Sequence, residues 1–445
     1  MTEMSSHIRQ LGEVAQFING GAWGQGEYST SGIPVVQVSN IRGSQIDLTD
    51  CKYLPEASLE KYARHLIRQD DLIIATVGSH PSQPNSVVGR PAIARSNAVN
   101  TLLNQNAVII RSTCDDVDQK WLGWLGRDQL FRDYIIGCAR GSASQVRMAI
   151  GLLKQMPIHI PPLRTQRRIA EILGAYDDLI QVNRRRVGVL EEMARGVFTE
   201  WFARMRFPGH EGVTIEDTPY GPLPTGWNKA TLDSMLEHTI GGLWGEISET
   251  DTEDQRVSVI RGTDFPKLLT GDYSSVPNRF VTSRELGSRV FLPGDLILEA
   301  SGGSKDQPVG RVMYMTASLI EKLRTPVAPA SFCRLLRPSN KLGGGVYLYC
   351  LLQAMYQDKR IEKFQKQSTG LRNLSMRQLS AETVILPDAA ILASFGKLTV
   401  PFMEAASLHR HECSTLSAAR DLLLPRLMSG QLSVAQAERE LEAVA

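Results

Sequence analysis

Residues 160–184 read Ile-Pro-Pro-Leu-Arg-Thr-Gln-Arg-Arg-Ile-Ala-Glu-Ile-Leu-Gly-Ala-Tyr-Asp-Asp-Leu-Ile-Gln-Val-Asn-Arg and open a helical pattern without proline from Leu163 to Phe202. Apolar residues recur in it at spacings of four and three, the heptad signature of a helix that packs along one stripe. The stripe consists of Ile169, Leu173, Tyr176, Ile180, Asn183, Val187, Leu190, Ala194, Val197 and Trp201. At about 1.5 Å per residue the helix should be roughly 60 Å long, and its stripe requires a partner helix.

A second helix with a similar, less regular alternation follows Leu386-Pro387. Its apolar stripe is formed by Phe395, Leu398, Phe402, Ala405, His409, Leu416, Ala419 and Leu423. Pro401 and Pro425 lie inside this pattern, and because proline removes a helical hydrogen bond we expect the helix to be kinked or broken. Asn183 and His409 occupy equivalent middle positions of the two stripes. A polar residue there either fixes the helix register or is merely tolerated, and both interpretations stay open.

The chain repeats itself over a long period. The run from Leu11 to Gly24 returns from Leu232 to Gly245, and both end in Gly-Gly-x-Trp-Gly. Further matches are Asp71-Leu-Ile-Ile with Asp295-Leu-Ile-Leu, Val88-Gly-Arg90 with Val309-Gly-Arg311, and Ile160-Pro161 with Leu386-Pro387. A repeat this long exceeds the roughly 20–50 residues of a solenoid unit. The pattern therefore predicts a duplicated domain plus helix with pseudo-two-fold symmetry.

The predicted fold class is α+β, with two similar globular domains separated by two long antiparallel spacer helices. We assign residues 1–160 to the first domain (head 1), 161–207 to a central spacer helix, 208–386 to the second domain (head 2) and 387–445 to a C-terminal spacer helix and tail. In both heads short β-type runs, such as Asp71–Val77 and Gly294–Glu299, alternate with turn clusters. Since the first helix runs from head 1 to head 2, two-fold symmetry requires the second helix to run back.

Composition limits the class of protein. The 445 residues allow two or three domains, and a net charge of +2 means that an anionic partner would be bound by local patches. The six cysteines are scattered without a C-x-x-C pair, which argues against a structural zinc site or a disulfide framework. We find no secretory signal and no apolar run near the roughly 20 residues of a membrane span, so we expect a cytoplasmic protein.

The stretch from Ile160 to Arg184 closely resembles the central region of Type I restriction–modification specificity (S) subunits. The shared features, in order, are the proline pair Pro161-Pro162, Gln166-Arg-Arg-Ile169, Asp177-Asp178, Asn183-Arg184 and Trp201-Phe202, followed by Leu223-Pro-Thr-Gly-Trp227. The resemblance covers essentially the whole chain, because that family also has two variable heads and two spacer helices. The chain departs from the pattern after Leu386-Pro387, where no Gln-Arg-Arg follows.

The resemblance implies a non-catalytic DNA-binding subunit without a cofactor of its own. Each head would read one half of a split double-stranded DNA sequence, and the helices would set the gap between the halves. The helices would also dock two methyltransferase subunits, which modify adenine with S-adenosylmethionine. Restriction subunits would join the full complex.

Polar and basic side chains in glycine-bearing loops are the candidates for DNA contact, because base edges and phosphates are read by such groups. In head 1 they are Gln37, Ser39, Arg42, Ser79, Gln83, Arg90, Arg140 and Arg147, and in head 2 they are Arg261, Thr263, Ser301, Lys305, Arg311 and Arg372. Each of these could equally be a solvated loop residue. Trp23 could reach DNA or pack beside its tight turn, and the same holds for Trp244.

The central helix carries the candidates for partner binding, which are Gln166, Arg167, Ile169, Tyr176, Trp201 and Phe202. Arg167 and Arg168 lie in the first turn, where the helix dipole disfavours cations, and this hints at an acidic partner. Arg184-Arg-Arg186 could contact phosphates, dock a partner or form a solvated helix face.

Enzyme motifs are missing from the sequence. It contains neither the Asn/Asp-Pro-Pro-aromatic tetrapeptide of adenine methyltransferases nor a G-x-x-x-x-G-K-[ST] phosphate loop. Asp295 and Glu299 resemble the carboxylate pair of a metal-dependent nuclease, but Ser301 stands where that site needs lysine. We assign no catalytic or metal-binding residue. A stand-alone bipartite DNA-binding regulator and a protein–protein scaffold remain alternatives.

Overall fold

In a computed structural model the chain forms two compact units. Unit 1 comprises Met1–Asp178 and Ala418–Ala445, and unit 2 comprises Leu179–Ser417. The structure describes residues 7–79, 86–142, 145–219, 221–303, 307–340, 343, 345–368 and 371–442. Two helices run from one unit into the other: α6 (Leu163–Phe198) and α12 (Ala389–Met428).

The described residues of unit 1 form four sheets and a small hairpin. Its strands are β1 (His7–Gln10), β2 (Ala15–Asn19), β3 (Ile33–Val36), β4 (Ile41–Arg42), β5 (Gln45–Ile46), β6 (Lys52–Leu54), β7 (Leu72–Ala75), β8 (Val77–Gly78), β9 (Pro91–Ile93), β10 (Leu102–Leu103), β11 (Ala107–Ser112), β12 (Ala139–Ser142), β13 (Gln145–Met148) and β14 (Pro157–Ile160). Its helices are α1 (Leu11–Val14), α2 (Leu59–Tyr62), α3 (Gln119–Leu125), α4 (Gln129–Cys138), α5 (Ile150–Lys154), the start of α6, the end of α12, and α13 (Val434–Glu442).

The central sheet of unit 1 is antiparallel in the order β2-β11-β7-β9 and is buried on both faces. Because side chains alternate across a strand, Leu72 and Ile74 join the core beneath α3, α4 and the long helices, while Ile73 and Ala75 join a smaller core on the other face. Smaller sheets with the orders β10-β3-β6, β12-β13-β8 and β1-β14 surround it.

Unit 2 repeats this arrangement. Its strands are β15 (Ile215–Thr218), β16 (Gly221–Pro224), β17 (Asn228–Thr231), β18 (Leu236–Gly241), β19 (Gln255–Ile260), β20 (Asn278–Val281), β21 (Leu296–Glu299), β22 (Ser301–Gly302), β23 (Val312–Tyr314), β24 (Val327–Pro329), β25 (Cys333–Pro338), β26 (Gln365–Ser368), β27 (Leu371–Leu374) and β28 (Thr383–Leu386). Its helices are α7 (Phe265–Leu268), α8 (Ser283–Arg289), α9 (Ala317–Lys322), α10 (Val346–Gln357) and α11 (Met376–Ser380), with the end of α6 and the start of α12.

The sheet orders confirm the duplication. The central sheet β18-β25-β21-β23 has the topology of β2-β11-β7-β9, and the sheets β20-β19-β24, β22-β27-β26 and β17-β28 match the three smaller sheets of unit 1. A buried ion pair is duplicated as well. Arg111 donates to both carboxylate oxygens of Asp71 at 2.7 and 2.6 Å, and Arg337 donates to Asp295 at 2.9 and 2.7 Å.

The two Gly-Gly-x-Trp-Gly runs are shifted by one residue relative to each other in the two equivalent sheets. A β-bulge between Leu236 and His238 inserts an extra residue into β18, so Gly20 corresponds in space to Gly242. At both glycines a Cβ atom would lie 2.0 Å from a backbone oxygen, of Asn104 and Ala330 respectively. Trp23 and Trp244 therefore occupy different positions.

Trp23 packs edge-on against Tyr62 with ring centroids 5.2 Å apart. Trp244 is 40% exposed, with the Arg279 guanidinium stacked on its ring. The packing interpretation thus holds for Trp23, whereas Trp244 retains an exposed ring.

Within each unit the segments of α6 and α12 pack in antiparallel directions, as predicted. In unit 2 the Cys413 thiol contacts the Ile180 carbonyl, Arg410 pairs with Glu191, and the rings of Phe202 and Phe395 lie 4.9 Å apart. In unit 1 Asp177 pairs with Arg420. The α-helix α6 ends at Phe198 and continues as a π-helical turn, Thr199–Ala203.

The second helix was expected to be kinked or broken, and the break is wrong, because α12 is continuous through Pro401 and Pro425. Tertiary packing offsets the two lost hydrogen bonds: Phe395, Met403, Leu424 and Leu427 are all buried in the cores. By length and composition α12 could also cross a membrane, and a third of its apolar window is buried; a single helix of this kind is weak evidence for a span, because core helices pass the same test. Its contacts with both cores identify it as a packed helix.

Asp177 is the centre of a charge cluster in unit 1, which we call the Asp177 hub. The carboxylate is 5% exposed and pairs with Arg95 at 3.2 Å, Arg127 at 2.8 Å and Arg420 at 2.5 Å. Burial raises the pKa of Asp177, but attraction to Arg127 and Arg420 outweighs it, so the net pKa is lowered. The hub joins α6, α12 and two loops of head 1.

We predict that Asp177→Asn destabilises the protein by about 3–5 kcal/mol, because the largely buried guanidinium groups of Arg127 and Arg420, and the partly buried one of Arg95, lose their shared counterion. Urea unfolding at neutral pH measures this, with the exposed neighbour Asp178→Asn as the control. Since the folded pKa of Asp177 is lowered, its contribution persists above about pH 4 and is lost as pH falls further. The gap between wild type and Asp177→Asn should therefore narrow below about pH 4. Equal unfolding midpoints for the two variants would contradict the hub.

Candidate DNA-binding surface

Several candidate DNA-contact residues meet on one small sheet in each unit. In unit 1 Arg147 on β13 lies opposite Val77 on β8, the strand that leads into Ser79, and the Arg147 side chain is exposed. In unit 2 Ser301 on β22 pairs with Asn373 on β27, and Gly302 pairs with Arg372. Two chain segments that are distant in sequence thus form one edge. Gln83, Lys305 and the side chain of Arg140 lie outside the described residues.

A short 3₁₀ turn carries the second group of candidates. After β3 the Gln37 N–H donates to Asn40 Oδ1 at 2.9 Å, and Ser39 and Arg42 are exposed on and just after this turn. After β19 the Arg261 N–H donates to Asp264 Oδ2 at 2.9 Å, which leaves Thr263 exposed. Both units therefore present the same turn with different side chains.

Three of the predicted arginines act as internal braces. Arg90 donates to the carbonyls of Ile41 and Ser86 at 3.0 and 3.1 Å. Arg311 donates to both oxygens of Glu299 at 2.8 Å and to the Gly262 carbonyl, and the hydrogen bonds to Glu299 raise the pKa of Arg311 against the effect of burial. These side chains fix the loops that carry the exposed candidates.

Arg261 is the third brace. It binds Asp264 and the Ser275 carbonyl, and the hydrogen bond to Asp264 raises the pKa of Arg261. Its guanidinium is therefore engaged within head 2, beside the exposed Thr263.

Phe332 is an exposed residue that the sequence did not single out. It lies in the turn before β25, its carbonyl accepts from the Ser301 N–H at 3.0 Å, and its side chain is 59% exposed. An exposed aromatic ring beside a predicted contact residue is suited to bases or thymine methyl groups. The apolar run around it predicts a strand but gives no sign of the exposure.

This architecture is similar to that of known proteins. Residues 124–192 match the family model described as the Type I restriction modification DNA specificity domain. The Type I restriction enzyme MjaIX specificity subunit of Methanocaldococcus jannaschii is 22% identical over 92% of each chain. The HindI specificity subunit of Haemophilus influenzae is 22% identical over 63% of this chain and 70% of its own. The S subunit structure from M. genitalium superposes with a TM-score of 0.60 at 14% identity, covering 96% of this chain and 99% of that one.

The chain is similar to Type I specificity subunits along nearly its whole length. Specificity subunits are the non-catalytic members of their systems, and the catalytic activities lie in other subunits. The nuclease-like carboxylates fit this assignment, because Asp295 and Glu299 are each committed to an arginine. In the part of the chain that the structure describes, no group of three or more His, Cys, Asp or Glu side chains could hold a metal ion.

Most residues of the specificity-subunit motif have partners inside their own unit. Gln166 is fully buried; its amide donates to the carbonyls of Asp116 and Pro161, and its oxygen accepts from the Asp118 N–H. It therefore fixes the start of α6 to head 1. Ile169 is buried in the unit 1 core, and Tyr176 is partly buried against it.

Trp201 and Phe202 belong to an aromatic cluster in unit 2. The Phe202 ring lies 4.7 Å from that of Tyr347, and the Trp201 ring lies 5.9 Å from that of Phe395. Among the six predicted partner-binding residues, Arg167 has the most accessible side chain, 3.8 Å from Asp118. The sequence hinted at an acidic partner for the arginines in the first turn of α6. Arg168 finds acidic groups within its own unit, because it pairs with Glu438 of α13 and with Glu171.

An exposed apolar stripe runs along the unit 2 part of α6. Its members, which we call the α6 stripe, are Leu179, Val182, Val189 and Met193, each between 44% and 53% exposed. Their spacing of three, seven and four residues places them on one face of the helix, beside the buried seam. The triplet Arg184-Arg-Arg186 is also exposed. Unlike Ile169 or Phe202, the four apolar side chains of the α6 stripe are exposed.

Proposed function

We propose that this specificity subunit reads a bipartite double-stranded DNA site, with one half-site per head, and docks two methyltransferase subunits through its helices. Restriction subunits would join the full complex, and the place of action would be the cytoplasm, where the DNA lies. The division at residues 160, 207 and 386 into head, helix, head and helix is part of this proposal.

The observation that carries the proposal is that both heads share one backbone arrangement but place different side chains on it. Sheet register places Val77 and Ser301 at equivalent positions, as it does Arg147 and Asn373. The 3₁₀ turns likewise exchange Gln37 for Arg261. Since base edges are distinguished by the donors and acceptors that meet them, two such heads would select different half-sites. Braced loops suit this role because they hold the contacting groups in fixed positions.

The α6 stripe supports the docking part of the proposal. Four large apolar side chains on one exposed helix face form a patch of the kind that marks protein interfaces. Neither a stand-alone regulator nor a simple DNA-binding module needs this patch. We therefore place a methyltransferase subunit on the α6 stripe.

Methylome sequencing tests the reading of a split site. A host that expresses this chain with its neighbouring methyltransferase should acquire adenine methylation at a motif with two defined halves and an unspecified gap. The matched control expresses the methyltransferase without this chain and should show no such motif. A continuous motif, or no new methylation with both proteins present, would refute the proposal.

A charge introduced on the exposed apolar face of α6 tests the docking. Val182→Asp places a carboxylate in the α6 stripe and should reduce co-purification with the methyltransferase at least tenfold, while the melting temperature stays unchanged because Val182 is exposed. Gln181→Asp adds the same charge at an exposed position about 100° round the helix and should have little effect. Equal recovery of the partner with both variants would place the interface elsewhere.

A further inference from the structure

A groove in unit 1 is lined by arginines from five separate segments of the chain. It encloses about 720 Å³ between the β4–β5 hairpin, the segment from Ser86 to Pro91, helix α4 and the end of α12. Its lining includes Arg42, Arg90, Arg127, Arg132 and Arg420, together with one carboxylate, Asp421. Such a concave surface raises the local concentration of anions more than an exposed face with the same charges would.

Ion pairing leaves positive charge in this groove. Arg127 and Arg420 share the single carboxylate of Asp177 with Arg95, so three guanidinium groups meet one buried counterion. Asp421, which is mostly exposed, pairs with Arg420. Burial lowers the pKa of Arg127 and attraction to Asp177 opposes that effect, which shows how strongly this guanidinium is desolvated.

Three further arginines complete the groove. Arg90 donates to two carbonyl oxygens, which are neutral acceptors and leave its charge uncompensated. Arg42 is paired with Asp47 and Asp50. Arg132 on α4 is exposed and forms no ion pair with any described residue. Counted with Arg95, there are six arginines. Four of them pair with four carboxylates, and Arg90 and Arg132 are left as an excess of two positive charges.

The position of the groove indicates which anion it takes. It begins at the neck of the loop that carries Ser79, where the Ser86 hydroxyl donates to the Ser79 carbonyl at 2.6 Å. It ends at the helix α12. A ligand in the groove therefore lies beside the residues predicted to contact DNA in head 1. Planar guanidinium groups match phosphate oxygens in geometry and charge.

We propose that this groove binds backbone phosphates of the DNA flanking the head 1 half-site, with Arg132 as its free phosphate contact. The inference rests on the proposed DNA-reading function and adds a contact that carries no sequence information. It is confined to head 1. Ala139 and Gln365 occupy equivalent strand positions, 226 residues apart. The same shift places Gln353 at the position of Arg127 and Met403 at that of Asp177. Applied in reverse, because the two long helices exchange roles between the units, it places Ala194 at the position of Arg420. Head 2 therefore lacks these charges.

Salt-dependent DNA binding by the subunit assembled with its methyltransferase tests this inference. Each phosphate contact adds about 0.9 to the slope of log affinity against log salt. We use a duplex that carries the motif found by methylome sequencing. Between roughly 50 and 200 mM KCl, Arg132→Gln should make the salt dependence shallower by about 0.9 in slope and should weaken binding several-fold. The loss of affinity should be the same for the cognate duplex and for duplexes altered in either half-site. The sequence of the methylated motif should not change.

Matched variants separate the groove from general charge effects. Arg64→Gln removes another exposed arginine of head 1 that does not line the groove and should leave the slope unchanged. Arg132→Lys keeps the charge and should restore most of the slope. Neutral methylphosphonates flanking the head 1 half-site should weaken wild-type binding several-fold and Arg132→Gln binding much less.

Two outcomes would overturn the inference while the proposed function stands. In the first, Arg132→Gln binds the split site with the wild-type slope and affinity. In the second, Arg132→Gln fails to assemble with the methyltransferase, which would make the groove a protein interface. Failure of the wild-type complex to select any split site would instead refute the proposed function.

Discussion

The attachment of head 1 to the long helices depends on one buried carboxylate shared by three arginines. Asp177 lies on α6, Arg420 on α12, and Arg95 and Arg127 on loops of head 1. Burial of these charges is tolerable only when all of them meet, because an unpaired charge in the interior costs several kcal/mol. The hub therefore demands one arrangement of the helices against head 1. Gln166 adds a second constraint, since its amide group binds three backbone groups at the start of α6.

Unit 2 solves the same structural problem with apolar contacts. Met403 and Ala194 stand at the positions of Asp177 and Arg420, and they belong to the same apolar core as the rings of Phe202, Tyr347 and Phe395. The duplicated fold is thus symmetric in its backbone and asymmetric in the chemistry that joins heads to helices. If the helix ends that carry Asp177 and Arg420 packed against head 2 instead of head 1, these charged side chains would face an apolar core. The same difference confines the arginine-lined groove to head 1.

The sequence predicted the features that depend on periodicity. The heptad stripe indicated the long helix, and the repeated runs indicated two similar heads with the helices packed in antiparallel directions. It could not show the bulge in β18, since one extra residue shifts register without changing the pattern, and so Trp23 and Trp244 looked equivalent. It also predicted a kink or break at Pro401 and Pro425, but α12 is not broken, because it packs against the core of unit 2 near Pro401 and the core of unit 1 near Pro425. The sequence could not show that Arg90 and Arg311 brace loops, because that role depends on hydrogen-bond partners that are distant along the chain.

The central claim is that two heads read two half-sites at a distance set by the helices. Its most direct test is methylome sequencing of a chain with seven residues inserted in α6 after Val187 and seven in α12 after His411, which preserves the pairings of Glu191 with Arg410 and of Ile180 with Cys413. One heptad adds about 10 Å to each helix, the length of about three base pairs. The account predicts unchanged half-sites separated by a longer gap. Unchanged spacing with full methylation, or altered half-site sequences, would contradict it.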